Sequence, residues 1–536
     1  MRYDIAQHGE SLAEVAARRG ILLTLLQAVN PRLASRPHAP IGGQPVRLPD
    51  TSLQRSSTDQ PAWIPTTSAE SMASREYDAL IIGSGHGGGA MLWRLSRLWS
   101  GTSRSIGVIE AGDLLLPTHF YNLPTMTLAR FRKYVMEVAT PIPGSQFYEI
   151  HALGGRTVCW QLVTPRFPAF ETASWPISRS ELEDYYAIAE PLMNVSNDYQ
   201  KGSYLNTVLL DRLQRHGYLN ARELPVAFDR DMSKYGQMHA SAAFSSINLM
   251  ADALNRKPFD LAVRTRATAI IREGERAAAV RVVASDGRQH IIRAKTIIVC
   301  GSSFQTPRLL LNSGIPGPAI GHYLTTHTIL GLTGSMSRKQ FPELLGAYGI
   351  LMQGEPDKPY QVMIGGPPEE NNAYPPFETI PLTDSIKMQV SGFGTIESRY
   401  DNRVELDPTS VDECGMPGVR VHFAYSEQDR RVIQTMEAAV ESIYRALHEP
   451  GEPVAPYTVG PVVDAIHDAG TCRMGTDPIT SVTDSYGQVH GVPGLYIADA
   501  SVIPTSGTAN PSLTVAALSI RTADNIALKL AQSHPL

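Results

Sequence analysis

The stretch REYDALIIGSGHGGGAMLWRLSRLW constrains the fold of this chain more than any other. An apolar run, Ala79 to Ile82, ends directly at Gly83, and Gly85 and Gly88 follow before Met91, Leu92, Leu95 and Leu98 take up helical spacing. That order predicts a buried strand, a tight turn and a helix. Glycines let the backbone turn and approach a pyrophosphate, whose charge is favoured by the unpaired N–H groups at the helix start. SIGVIEAG predicts a second strand ending in Glu110, where a carboxylate accepts hydrogen bonds from ribose hydroxyls. Dinucleotide binding on an open α/β sheet is the reading.

Two later segments return to the same sheet. AKTIIVCGSSFQTPRLLLNSGI, residues 294–315, gives a strand, a Gly-Ser turn and an amphipathic helix. GLYIADASVIP, residues 494–504, is a strand that delivers Asp499 at its carboxyl end, where ligands collect in open α/β sheets. Repeated returns from such distant segments suit a long, enclosed dinucleotide and favour FAD over NAD. At 536 residues the chain is expected to form two or three lobes.

Charge and cysteine usage narrow the partners. Lys+Arg 47 against Asp+Glu 52 leaves a formal charge of -5, with no basic stripe that would serve nucleic acid or anionic lipid, so neither nucleic acid nor membrane is expected. No window reaches about 18 uninterrupted apolar residues, and MRYDIAQHGESLAEV lacks a basic-then-apolar leader, so the expected location is cytoplasmic. Cys159, Cys300, Cys414 and Cys472 are scattered with no CxxC. They read as reduced thiols, with no disulfide framework and no metal site.

Residues 2–49 stand apart. Tyr3-Asp4-Ile5 is strand-like, HGESLAEVAARRGI and LLTLLQAVNP carry helical spacing, and IGGQPVRLP closes the segment. The Gly9-Glu10-Ser11-Leu12 run, Gly20, Asn30-Pro31 and the Gly43-to-Pro49 ending resemble a LysM domain, a βααβ module that in its family binds N-acetylglucosamine polymers. The same segment also reads as an appendage that docks on protein without touching sugar. Residues 50–74, rich in Ser, Thr, Gln and Pro without apolar periodicity, read as a linker.

HDAGTCRMG, residues 467–475, and TANPSLTVAALSIRTADNIA, with the three sheet segments in the same order, resemble the glucose-methanol-choline (GMC) flavin oxidoreductases over residues 76–536. GGRTVCWQLVTPRF, GHYLTTHTILGL and FGTIESRYDNRVEL are similar to pyranose oxidase and its bacterial sugar-oxidising relatives. The resemblance implies an α/β chain: a Rossmann-like FAD-binding domain of GMC fold, a sheet-based substrate domain and the small N-terminal βααβ module. The implied division is a LysM-like module at 1–49, a linker at 50–75, FAD-binding parts at 76–180, 240–330 and 446–536, and substrate-domain parts at 181–239 and 331–445.

In that family the histidine of the GTCRMG-type segment and a His or Asn 43 to 45 residues on face the flavin's reacting edge, which here makes His467 and Asn510 the catalytic pair. Oxidising an alcohol carbon removes a proton from oxygen as hydride leaves carbon. A neutral imidazole, of ordinary pKa near ~6.5, can take the proton, and an amide can stabilise the developing oxyanion. Asn510-Pro511-Ser512 precedes a helix-compatible run, and proline in a first turn is a start signal. The expected cofactor-binding residues are Gly83, Gly85, Gly88, Glu110, Gly154, Gly155, Cys159, Trp160, Ala269, Asp499, Asn510 and Pro511. His490, Cys472 and Arg473 read as structural.

Two departures limit the carry-over. Fungal pyranose oxidases place at the position of Cys159 a histidine bonded to the flavin, so non-covalent FAD is expected here. Gln161 stands where those enzymes have a small hydroxyl residue, which bears on reactivity with oxygen. Alternating stretches such as NRVELDP and GVRVHFAYS suggest a sheet roofing the flavin, and GGPPEENNAYPPFETIP, residues 365–381, reads as a substrate lid.

The implied reaction is oxidation of a secondary ring hydroxyl, C2 or C3, of a pyranose sugar or glycoside, with oxygen or a quinone as electron acceptor. The oligomeric state stays open, a homo-oligomer included. The rival readings are a glycan-binding protein with a vestigial flavin domain and a GMC dehydrogenase of a non-sugar alcohol.

Overall fold

The computed structural model describes residues 2–6, 9–18, 23–42, 44–48, 64–115, 132–138, 147–229, 243–340, 348–366, 384–449, 453–460, 463–464 and 467–533. The chain divides into two compact units, Met1–Trp63 and Ile64–Leu536.

In the first unit, strands Arg2–Ile5 and Pro45–Leu48 pair antiparallel, and the helices Leu12–Arg18, Leu23–Val29 and Pro31–Ala34 lie between them in the chain. Leu12, Val15, Ala16, Leu26, Ile41 and Val46 form its core. Asn30 ties the segment together: its Nδ2 donates to the Leu26 and Arg47 carbonyls at 2.8 and 2.6 Å, and its Oδ1 accepts from Arg47 N–H at 2.8 Å.

The second unit is organised by a five-stranded parallel sheet in the order Asp260–Ala262, Ile106–Ile109, Ala79–Ile82, Ile297–Val299, Leu495–Ile497. Four of these strands are buried at every position, as short apolar runs covered on both faces should be. Helix His86–Leu98 packs against helix Ser512–Ser533, and the bidentate pair of Arg94 with Asp524, 2.6 and 2.9 Å, joins them. The two glycines of the turn have separate steric duties. Gly83 sits at φ +97° with the Cys300 carbonyl where a Cβ would be, and a Cβ on Gly88 would strike the Gly83 carbonyl. Only glycine lets helix, turn and neighbouring strand close up this tightly.

A seven-stranded antiparallel sheet forms the second layer. Its main path runs Thr458–Val459, His327–Ser337, Ser385–Thr395, Tyr360–Gly366, Tyr348–Met352, Arg222–Glu223, with Val463–Asp464 also on the His327–Ser337 strand. Helix Glu427–Ala446 packs on it, opened by a capping box between Ser426 and Asp429 and burying Val432, Met436, Val440, Ile443 and Tyr444 at helical spacing. One strand of this sheet, Arg222–Glu223, comes from within residues 181–239; the later ones begin at His327 rather than at residue 331 and include two short strands from beyond residue 445.

Two further expectations differ from the structure. The alternating stretches at 403–411 and 417–422 form their own two-stranded hairpin against helix Ser302–Asn312 and are no part of the seven-stranded sheet. Arg308 fixes it there, donating to the Pro417 carbonyl at 2.7 Å and to Asp412 at 2.9 Å. The last part of the expected linker belongs to the body: Ser68 caps helix Ala69–Ala73, whose Ala69 and Met72 are buried, and Thr67 N–H donates to the Leu261 carbonyl at 2.7 Å. Residues 50–63 of the expected linker, and residues 367–381 of the expected lid, lie outside the described residues.

Candidate active site

A cavity of about 480 Å³ lies at the carboxyl ends of the parallel strands, reached by Ile82, Ile109, Val299 and Asp499. Ligands collect at this edge of open α/β sheets. Its wall includes Gly83, Gly85, Glu110, Gly155, Cys159, Trp160, Asp499, Asn510, Pro511 and His467, all predicted from sequence.

The turn end is held by short polar contacts. Ser84 donates from its backbone N–H and its Oγ to Glu110 Oε2, at 3.1 and 2.5 Å, and Gly112 N–H donates to Glu110 Oε1 at 2.7 Å. Gly154 N–H donates to Ser84 Oγ at 2.9 Å, and Ser246 Oγ donates to the Ser84 carbonyl at 2.7 Å. Glu110 thus holds the turn as well as facing the cavity, a use the ribose reading did not include.

Along the next stretch, Asp499 accepts from Ser501 N–H and Oγ at 2.8 and 2.5 Å and from Ser302 N–H and Thr306 Oγ1 at 3.0 and 2.6 Å. Burial raises its pKa against those bonds. Glu149 accepts from Ser302 Oγ at 2.9 Å and Gln305 Nε2 at 2.7 Å. Its burial opposes charge, but His151, Arg156 and Gln305 outweigh that and leave its pKa below the ordinary value.

The other end is built around His467. Its Nδ1 lies 2.8 Å from His327 Nδ1, and its Nε2 lies 3.2 Å from Asn510 Nδ2. His327 Nε2 is bonded to the Ser506 carbonyl at 3.2 Å, and Gln361 Nε2 donates to Asn510 Oδ1 at 2.7 Å. Burial, then the neighbouring His327 and Arg156, pull the His467 pKa well below its usual value, so the ring is neutral at pH 7. Beside it, Arg156 Nη1 donates to Asp468 Oδ1 at 2.8 Å.

Three predicted cofactor positions lie outside the wall. Gly88 serves helix–strand packing, and Gly154, at φ +92°, braces Ser84 from behind. Ala269 is a correction: Ala267 lines the cavity instead. The two sit two apart on one strand, but an irregularity in pairing between them breaks the alternation that would put both on one face. His490 bonds Ser481 Oγ at 3.0 Å, Arg473 donates to the Thr480 carbonyl at 2.7 Å, and Cys472 is fully buried, none of them on the cavity wall.

Sequence reasoning missed His327 and Gln361, which come from the antiparallel sheet, together with Ser84, His86 and the Arg156–Asp468 pair. GHYLTTHTILGL carries two histidines, His322 and His327, and nothing local to the stretch singles out His327 as the one that reaches His467.

The wall fits an FAD. A glycine turn opens onto the start of a 13-residue helix, where N–H groups favour a pyrophosphate. His86 Nε2 and Asp468 Oδ2 are buried polar atoms with no protein hydrogen-bond partner, and both residues line the cavity. Cys159 lines it too. Burial pushes its thiol up to about 12, so it is no thiolate at neutral pH, in keeping with non-covalent binding.

A parallel sheet whose strand ends wall one long cavity, finished by a neutral His/Asn pair, defines a flavin-dependent oxidoreductase. GMC oxidoreductase family profiles match residues 127–329 and 398–519, and the chain belongs to that family, whose members are FAD-binding flavoproteins acting on CH–OH groups. It is 27% identical over 429 residues to a C-glycoside 3-oxidase of Arthrobacter globiformis, covering 75% of this chain and 79% of that protein. It is 24% identical over 431 residues to a pyranose 2-oxidase of Tricholoma matsutake, covering 73% and 74%. The crystal structure of pyridoxine 4-oxidase from Mesorbium loti superposes with a TM-score of 0.64 at 17% identity, over 84% of this chain and 99% of that one, and shares the fold.

Proposed function

We propose that this chain oxidises a secondary ring hydroxyl, at C2 or C3, of a pyranose sugar or glycoside to the keto-sugar, and passes the electrons to oxygen or a quinone. The observation that carries the reading is the approach of His467 Nε2 and Asn510 Nδ2 to 3.2 Å on the wall of the cavity. A basic nitrogen and an amide donor that close can share one substrate hydroxyl. The named activities of the C-glycoside 3-oxidase and the pyranose 2-oxidase support a sugar ring as its bearer.

The residues divide the work. Gly83, Gly85, Glu110, Asp499 and Pro511 would hold FAD, which when bound accepts the hydride from the alcohol carbon. His467, neutral because it is buried, takes the hydroxyl proton as the carbon–hydrogen bond weakens. Asn510 cannot act as a base. Its N–H donates to the oxygen as negative charge develops there, and Gln361 holds the amide in that orientation.

The test is anaerobic addition of D-glucose, D-xylose, methyl β-D-glucoside and phenyl β-D-glucoside to the holoenzyme while the flavin band is followed. Bleaching by at least one, with a 2-keto or 3-keto product, is the expected result. A flavin that none of these bleaches and a simple non-sugar alcohol does would overturn the sugar assignment.

A further inference from the structure

We propose that His327 is a positioning residue that holds His467 in its Nδ1–H tautomer and so leaves Nε2 as the proton-accepting nitrogen. The inference rests on the reading of His467 as the base and adds what makes that base face the right way.

The direction of the hydrogen bonds is fixed at one end by a group with no choice. The Ser506 carbonyl can only accept, so the His327 nitrogen facing it, Nε2 at 3.2 Å, carries the proton. A neutral imidazole carries one proton, which leaves His327 Nδ1 as a bare acceptor. The 2.8 Å contact between the two Nδ1 atoms then needs its proton from His467. His467 Nε2 is left as the acceptor nitrogen, and Asn510 Nδ2 donates to it at 3.2 Å. The far end agrees: Gln361 Nε2 occupies Asn510 Oδ1 at 2.7 Å, which turns the amide N–H toward His467.

His327 must be neutral for this to hold. It is fully buried, and that burial lowers its pKa to about 4 despite the carbonyls of Ser506 and Gly507. Among the described residues no carboxylate bonds either ring, in contrast to triads in which an acid orients the histidine. A carboxylate would favour the imidazolium. A neutral acceptor sets the tautomer without charging the ring.

The test has a structural arm and a kinetic one. In protein labelled with ¹⁵N-histidine, with the His467 signals assigned by their loss in His467→Gln, His467 Nε2 is expected to be imine-like and Nδ1 pyrrole-like at pH 7. The opposite tautomer overturns the proposal, whether or not the His327 variants fold. In the holoenzyme, with D-glucose and phenyl β-D-glucoside as reductants, His327→Leu should slow flavin reduction by roughly 10²-fold. His327→Asn, which returns an acceptor near the Nδ1 position, should regain at least about tenfold of that. Leu and Asn variants equally slow, or a Leu variant at the wild-type rate, would show that the acceptor does not matter. His467→Ala separates the two layers: near-normal reduction in that variant removes the base reading itself, whereas its collapse beside an intact His327→Leu removes only the positioning role.

Discussion

At the turn after strand Ala79–Ile82, Ser84 and Glu110 are held by backbone N–H groups of Ser84, Gly112 and Gly154, while around His467 the contacts pass from one side chain to the next. Gln361 Oε1 and Asp468 Oδ2 there are buried with no protein partner. The first region depends on where the backbone runs, so its tolerance to change is steric. The second depends on which nitrogen carries a proton, so its tolerance is chemical. Damage at the turn should therefore empty the protein of flavin, and damage at the histidine should leave a yellow protein that does not turn over.

The largest effect expected is at Gly83. A side chain there meets the Cys300 carbonyl and must also adopt a positive φ, itself a cost of about 1–3 kcal/mol. Gly83→Val should purify without flavin. Normal FAD content in that variant would mean the turn is not closed as described. A milder change sharpens the contrast: Glu110→Ala removes the acceptor of three hydrogen bonds. It should weaken FAD affinity by roughly 10- to 100-fold, at about 1.5–3 kcal/mol for bonds to a charged group. Reduction at saturating FAD should stay near the wild-type rate, which titration of apoprotein followed by stopped-flow can check.

Next in size is the pH dependence. A base works only when unprotonated, and burial lowers the His467 pKa, so flavin reduction should stay flat as pH falls from 8 past the ordinary histidine value of ~6.5 and decline only below it. An acid limb centred at or above that value would place a charged ring in the site. The smallest effect is expected from removing the N-terminal unit. A chain starting at Ile64, which keeps helix Ala69–Ala73 with its buried Ala69 and Met72, should reduce its flavin within about twofold of the full chain, a rate change of only a few tenths of a kcal/mol. Loss of sugar oxidation in it would tie that unit to the reaction.

The same contrast explains what could be read from the sequence. The strand, turn and helix at 79–98 were legible because apolar period and glycine placement are local properties of the chain. His467 and Asn510 were legible only through the resemblance of their segments to the GMC family. His327 lies 140 residues from His467 and Gln361 lies 149 from Asn510, and no local rule joins them. The hairpin at 403–422 shows a related limit: alternation identifies a strand but not its partner, and the two stretches expected in a sheet roofing the flavin pair with each other. At Ala269 a pairing irregularity between it and Ala267 separates the two, and nothing in the sequence marks it.

The most direct measurement is the rate of anaerobic flavin reduction in His467→Ala whose FAD content equals that of the wild type. With the backbone end untouched, cofactor binding should be normal and reduction by a sugar substrate slower by about 10²-fold or more. A variant that binds FAD and is reduced at the wild-type rate would contradict the assignment of His467 as the proton acceptor.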